Sequence, residues 1–221
     1  MKRVLLGLFL LLFTANSFAQ DSSSPYYGFR LGLTAHPTIG WVKPEIGKSN
    51  GVALGFSYGL LADFNFTQNY SFATGLAITT VNGKSTEVIT TLGAGAPAQA
   101  EYELKYKLQY IEVPFTLKLK TVKINNARYY GQFGLSNGIL IGAKQDTDVS
   151  GSSSSRDVNI SDDIKFYRAG LIIGAGAEFD ISANSSVTTG LTFNNGFTDI
   201  AGSKTTTVKN HYIGIHFGVF F

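Results

Sequence analysis

Six ionisable residues fall where strands would turn them to the same side of a closed sheet: Arg30, Asp63, Glu112, Arg168, Glu178 and His216. Charges gathered in an interior lock together as a paired network, because a buried charge without a partner is costly. The other use for such a set is a path for an ion or a proton. A second group, His36, Asp199 and His211, offers two imidazoles and a carboxylate, which suits a divalent metal or acid–base work on a lipid. No HExxH-like spacing accompanies it. Asp146, Asp148, Asp157, Asp162 and Asp163 invite a calcium reading, but the EF-hand spacing is missing and a solvated loop accounts for them. The serine run 152–155 reads as a linker. There is no cysteine, hence no disulfide framework and no thiolate chemistry. The expectation is therefore no catalytic residue, no metal site and no cofactor.

These side chains need elements to position them, and the last stretch, 211–221, shows which kind. Ile213, Ile215, Phe217, Val219 and Phe221 share one parity, while Tyr212, Gly214, His216, Gly218 and Phe220 share the other. A strand alternates faces, so one side is wholly apolar and the other small or polar. A greasy outside and a tight inside describe the closing strand of a transmembrane barrel. Earlier stretches repeat the pattern. Residues 26–34 put Tyr27, Phe29, Leu31 and Leu33 opposite Gly28, Arg30 and Gly32, with the alternation ending at Ala35. Residues 51–64 oppose large even-numbered residues to small odd-numbered ones, as the crowded interior of a narrow barrel requires. Further strands are expected at 70–80, 101–119, 128–142, 166–179 and 187–197. In 101–119 the apolar residues are even-numbered up to Tyr110 and odd-numbered from Ile111. Either a bulge lies near Tyr110 or the first half projects above the membrane, and Pro114 adds a missing ladder donor.

The count is eight antiparallel strands, joined alternately by long connections (36–50, 82–100, 143–165, 198–210) and short turns. Outer-membrane barrels show that asymmetry, with long loops outside and tight turns in the periplasm. Phe64, Phe66, Tyr70, Phe72, Tyr129, Phe179 and Phe221 gather beside the short turns as one aromatic girdle. At the start of the sequence, Lys2 and Arg3, the apolar run 4–13 and Ser17-Phe18-Ala19 read as a signal peptide, 1–19, ahead of a barrel domain, 20–221. Without Lys2 and Arg3, 16 basic residues face 15 acidic ones, so a nucleic-acid surface is not expected.

The segment Tyr110-Ile111-Glu112-Val113-Pro114-Phe115 resembles the Tyr-Leu-Glu-Ile-Pro-Leu motif of small PorT-like outer-membrane barrels. Gly174-Ala175-Gly176-Ala177-Glu178-Phe179 and Gly196-Phe197-Thr198-Asp199-Ile200 resemble two further stretches of that family. The resemblance covers the mature chain and implies an eight-stranded barrel in a Gram-negative outer membrane. It implies no chemistry, and no residue carries over the founding member's association with a secretion and attachment system. Outer-membrane lipid and, during insertion, the barrel-assembly machinery are the partners such a barrel needs. The expected role is structural or interactive, through long external loops over a lumen closed by an ionic plug. A narrow pore and a rim enzyme acting on lipid are the alternatives. Within the plug, Arg30 is expected to reach Asp63 or Glu112, with His216 close by.

Overall fold

The computed structural model describes residues 28–45, 47–91, 98–149, 154–182, 184–202 and 207–221; the expected signal peptide lies outside them. Among the described residues nine strands form: β1 (Gly28–Pro44), β2 (Lys48–Asn65), β3 (Tyr70–Thr91), β4 (Ala98–Lys120), β5 (Ala127–Val149), β6 (Ser155–Asn159), β7 (Tyr167–Asp180), β8 (Ser186–Gly196) and β9 (Val208–Phe220). Eight of them close an antiparallel ring in chain order, with β9 returning to β1 from Gly32↔Phe220 to Pro44↔Val208. The ninth, β6, is a short edge strand paired to β5 beside the ring.

The outside of the ring is an apolar belt. Phe29, Leu31 and Leu33 of β1 face out, as do Leu54, Phe56 and Leu60 of β2 and the closing residues Ile213, Ile215, Phe217 and Val219, with Phe221 exposed just beyond β9. The alternation of β1 does not stop at Ala35. His36, Thr38, Gly40 and Val42 continue the inward face to the end of the strand. The girdle residues are all exposed near the short turns, where Phe64 meets Phe29 and Phe72, and Phe66 stacks on Tyr70. In the turn between β4 and β5, Asn125 adopts φ 56°, a left-handed conformation that Asn tolerates better than most residues.

The expected long loops are largely strand. β1 and β2 run through most of 36–50, β3 and β4 through all but the tip of 82–100, and β5 and β6 through much of 143–165. The ladder continues because its side chains remain satisfied beyond the belt: the inner face turns apolar and the outer face polar. β4 shows the exchange. Leu104, Leu108, Tyr110, Glu112, Thr116, Lys118 and Lys120 are all buried, and all even-numbered. The strand never switches faces; its surroundings do, and the projecting first half is the correct account of the parity conflict. A register shift does occur here, but the extra residue is Ile141 of β5, between Leu140 and Gly142. The tall end carries its own apolar core of Val81, Leu108, Tyr110, Ala143, Ile200 and Tyr212.

Candidate functional site

Inward-facing polar residues meet in two layers inside the ring. The first lies toward the short turns. The β1–β2 register sets Arg30 beside Asp63, and the guanidinium Nη2 donates to Asp63 Oδ2 at 3.0 Å and to Glu178 Oε2 at 3.0 Å. Lys118 bridges the same carboxylates from β4, with Nζ 2.9 Å from Asp63 Oδ2 and 3.1 Å from Glu178 Oε1. Lys120 stands 3.5 Å from each and donates to Asn65 Oδ1 at 2.9 Å. Phe220 closes the layer, its ring centroid 4.4 Å from the Arg30 guanidinium carbon. Three cations thus share two carboxylates, and their side chains are at most 10% exposed. Such a network holds because each charge has a partner of opposite sign in a site where water cannot serve.

The second layer lies toward the tall end. Arg168 of β7 is fully buried; its Nη1 donates to Glu112 Oε1 at 3.0 Å, its Nη2 to Asn194 Oδ1 at 2.8 Å and its Nε to Asn210 Oδ1 at 2.5 Å. Glu112 also accepts from Ser136 Oγ at 3.1 Å and Tyr212 Oη at 2.7 Å. A planar guanidinium suits this site because its donors diverge in fixed directions toward three strands at once. Tyr110 and Tyr212 flank it and reach up into the apolar core, so the second layer and the core form one continuous stopper. Between the layers His36 faces His216, with ring centroids 5.2 Å apart.

Arg30 therefore takes Asp63 as expected, but its second carboxylate is Glu178, not Glu112. Glu112 belongs to the other layer, too far up the barrel. His216 meets His36 rather than Arg30, because the β1–β9 register, from Thr34↔Gly218 to Thr38↔Gly214, sets His216 level with His36, six residues up β1 from Arg30. Lys118, Lys120, Asn194, Asn210 and Tyr212 were not expected in the network. The signal for the two lysines was present: they share the parity of Glu112 on β4.

The rim group does not assemble. His36 points into the lumen, His211 packs on Trp41 with centroids 5.7 Å apart, and Asp199 pairs with Lys165. Burial works against the Asp199 carboxylate, yet Lys165 and the N–H groups of Val208 and Ala201 hold it below the usual carboxylate range. The acidic group is similarly committed. Lys107 Nζ binds Asp146 and Asp157, at 2.8 and 3.0 Å, and Arg156 binds Asp148 at 2.7 Å. Hydrogen bonds from Lys107 and from the Asp157 N–H lower the Asp146 pKa. Asp162 and Asp163 stand apart on the short 3-10 turn Ser161–Asp163. Among the described residues no three His, Cys, Asp or Glu side chains are grouped to hold a metal.

The family model of the outer membrane protein beta-barrel domain matches residues 18–202. The chain belongs to that family. It is an outer-membrane barrel of the Gram-negative envelope, and the apolar belt is its lipid-facing surface. Among solved structures it is similar to Neisserial surface protein A, at 15% identity over 87% of this chain and 96% of that one, with a TM-score of 0.48. OprG of Pseudomonas aeruginosa follows at 11% identity, 89% and 97% coverage and a TM-score of 0.45. Ail of Yersinia pestis is 14% identical over 87% and 99%, with a TM-score of 0.33. No curated protein matches the chain.

Proposed function

We propose that this barrel is a non-conducting, non-enzymatic anchor that holds a β-sheet platform outside the cell for interaction with other molecules. The observation carrying this reading is that the lumen is stopped in succession by an ionic layer, a second ionic layer and an apolar core. Meanwhile β3, β4 and β5 continue past the lipid belt and gain β6 as an edge. From Gln109 to Ala98, β4 alone extends about 35 Å at roughly 3.3 Å per residue. A barrel built to pass solutes gains nothing from that height, whereas one built to present a surface does. The tall end is assigned to the outside and the short turns to the periplasm. Export through the signal peptide 1–19 and insertion by the barrel-assembly machinery complete the scheme. Kinship with the PorT-like barrels rests on the segment from Tyr110 to Phe115, the part of β4 that supplies Tyr110 and Glu112 to the second layer.

Planar-bilayer recording tests the reading. The purified barrel is expected to leave the bilayer at its leak level across a voltage ramp. Steady unitary conductance from the wild-type chain would replace the anchor with a narrow pore.

A further inference from the structure

Above the lipid belt the outer face of the sheet repeats one arrangement, a lysine set directly opposite a lysine. Lys43 of β1 pairs with Lys209 of β9, Lys84 of β3 with Lys105 of β4, and Lys107 of β4 with Lys144 of β5. Their chain neighbours Val42, Asn210, Ser85, Leu104, Leu108 and Ala143 are buried on the inner face, so these lysines point outward. Like charges placed opposite each other across a ladder are destabilising. One pair is neutralised from within the chain, since Lys107 Nζ lies 2.8 Å from Asp146 and 3.0 Å from Asp157. The pairs Lys43–Lys209 and Lys84–Lys105 make no ion pair among the described residues. Asp146 stands opposite Lys105, but its carboxylate is taken by Lys107 and the Asp157 N–H. Lys48 of β2, exposed and opposite Thr86, adds a fifth unpaired lysine between the two bare pairs.

This collar begins where the lipid belt ends. On β1, Ile39 and Trp41 precede Lys43 on the outer face, and Trp41 stacks on Phe193 with ring centroids 6.0 Å apart. Aromatic rings of that kind mark the membrane–water interface. On β2, Leu54 and Val52 carry exposed apolar surface up to the level of Gly83, the residue beside Lys84. From β9 through β1, β2 and β3 to β4 the five lysines span adjacent strands, about 19 Å at roughly 4.8 Å per step. The acidic residues nearby do not fill the need. Glu103 accepts from Asn50 Nδ2 at 3.3 Å, and Glu45, just past β1, makes no ion pair among the described residues.

We propose that this collar binds the phosphorylated head groups of the outer-leaflet glycolipid, whose anions supply the compensation that the two bare lysine pairs lack. The inference rests on the assignment of the tall end to the cell exterior. Ammonium groups suit the task, because each is a compact point charge on a long stem that can follow a mobile phosphate. Attraction of such a set to an anionic membrane surface grows with each lysine and acts within a screening length of that surface. A soluble anion could meet the same charges, but nothing would hold it at the edge of the belt, where a lipid head group already sits.

The test is urea unfolding of the wild-type barrel in phosphatidylcholine vesicles with and without diphosphorylated lipid A. A ligand that binds only the folded state raises the midpoint. The expected result is a higher wild-type midpoint with lipid A and no rise with dephosphorylated lipid A. The rise should vanish at about 1 M salt, where the screening length falls to about 3 Å. Lys43→Gln, Lys84→Gln, Lys105→Gln and Lys209→Gln combined should unfold in plain phosphatidylcholine no earlier than the wild type, since the like-charge repulsion is gone. That variant should not respond to lipid A. Should it fail to insert, Lys84→Gln with Lys105→Gln should respond less than the wild type. A wild-type midpoint indifferent to lipid A, a rise that survives dephosphorylation, or a variant that responds as fully as the wild type overturns the proposal. So does an equal rise from a soluble polyphosphate, which makes the partner a free anion. Lipid A occupies both leaflets of these vesicles, so a failure here counts against the lysines, whereas tags on intact cells decide the orientation separately.

Discussion

Glu178, like Asp63, meets all three cations of the first layer: Arg30 at 3.0 Å, Lys118 at 3.1 Å and Lys120 at 3.5 Å. Glu178→Gln leaves those cations facing Asp63 alone. Removing one member of a buried pair costs about 3–5 kcal/mol, because the remaining charge loses its compensation. Arg30→Met combined with Glu178→Leu removes one charge of each sign and should cost clearly less than the sum of the single changes. A double-mutant cycle on urea unfolding in lipid vesicles measures this, and additive energies would show that the contacts are not coupled. How much of the layer was legible follows from its geometry. Asp63 could be read as the Arg30 partner because it lies near the end of the second strand, which pairs with the first. Glu112 was misplaced because height across the barrel depends on strand stagger, which alternation along a single strand does not reveal. Lys118 and Lys120 were overlooked because they border a turn, although the parity of β4 carries them inward as firmly as Glu112.

At the scale of elements, the useful lesson is that one strand can carry two opposite patterns. In β4 the outer residues are Lys105, Lys107 and Gln109 above the belt, then Ile111, Val113, Phe115, Leu117 and Leu119 within it. Hydrophobicity alone suggests a change of face, and loops where strands continue, since the rule of apolar-out ends with the lipid. Substitutions should respect that boundary. Phe217→Arg places a charge in the lipid belt and should cost about 2–4 kcal/mol of folding stability. Gln109→Leu, beyond the belt on an outer face, should stay within about 0.5 kcal/mol of the wild type. Gly218→Leu should fail for the opposite reason, because a Cβ there already sits 2.8 Å from Leu61 and 3.0 Å from the Leu33 carbonyl. Vesicle refolding monitored against urea separates these, and normal insertion of Phe217→Arg would reverse the two faces. The β5–β6 hairpin has its own dependence on pH. The Asp146 carboxylate is held below its ordinary pKa by Lys107 and the Asp157 N–H. A depressed folded-state pKa contributes stability that is complete above the unfolded value, about 3.9, and is lost as pH falls through the folded one. Hydrogen exchange in β6, corrected for intrinsic rates, should be unchanged from neutral pH down to about 5 and accelerate below about 4. Asp146→Asn should remove that transition, and a wild-type hairpin indifferent to acid would show that the ion pairs do not hold it.

For the whole molecule, the ends of the barrel differ in kind. At one end adjacent strands are joined by tight turns ringed with Phe64, Phe66, Tyr70 and Phe72; at the other, β3, β4 and β5 stand well beyond the lipid with an apolar core inside them. The closed ring removes every strand edge from the bilayer, leaving β6 as a short edge in water, where unpaired backbone groups are solvated. That edge is guarded: its own Arg156 and Asp157 pair with Asp148 and Lys107 of the neighbouring strands, and charged residues discourage edge-to-edge pairing. A tall end with a solvated, charge-guarded margin fits the cell exterior, and the tight-turn end fits the periplasm, where an incoming barrel leaves only what need not cross the membrane. Epitope tags placed at 92–97 or 150–153 should therefore bind antibody on intact cells, while a tag at Asn125-Asn126 in the β4–β5 turn should be reached only after the outer membrane is opened. Paired tags in one experiment make the result independent of expression level, since each variant supplies its own total after permeabilisation. If the turn tag is the one exposed on intact cells, the orientation is inverted, and the platform with its apolar core faces the periplasm instead.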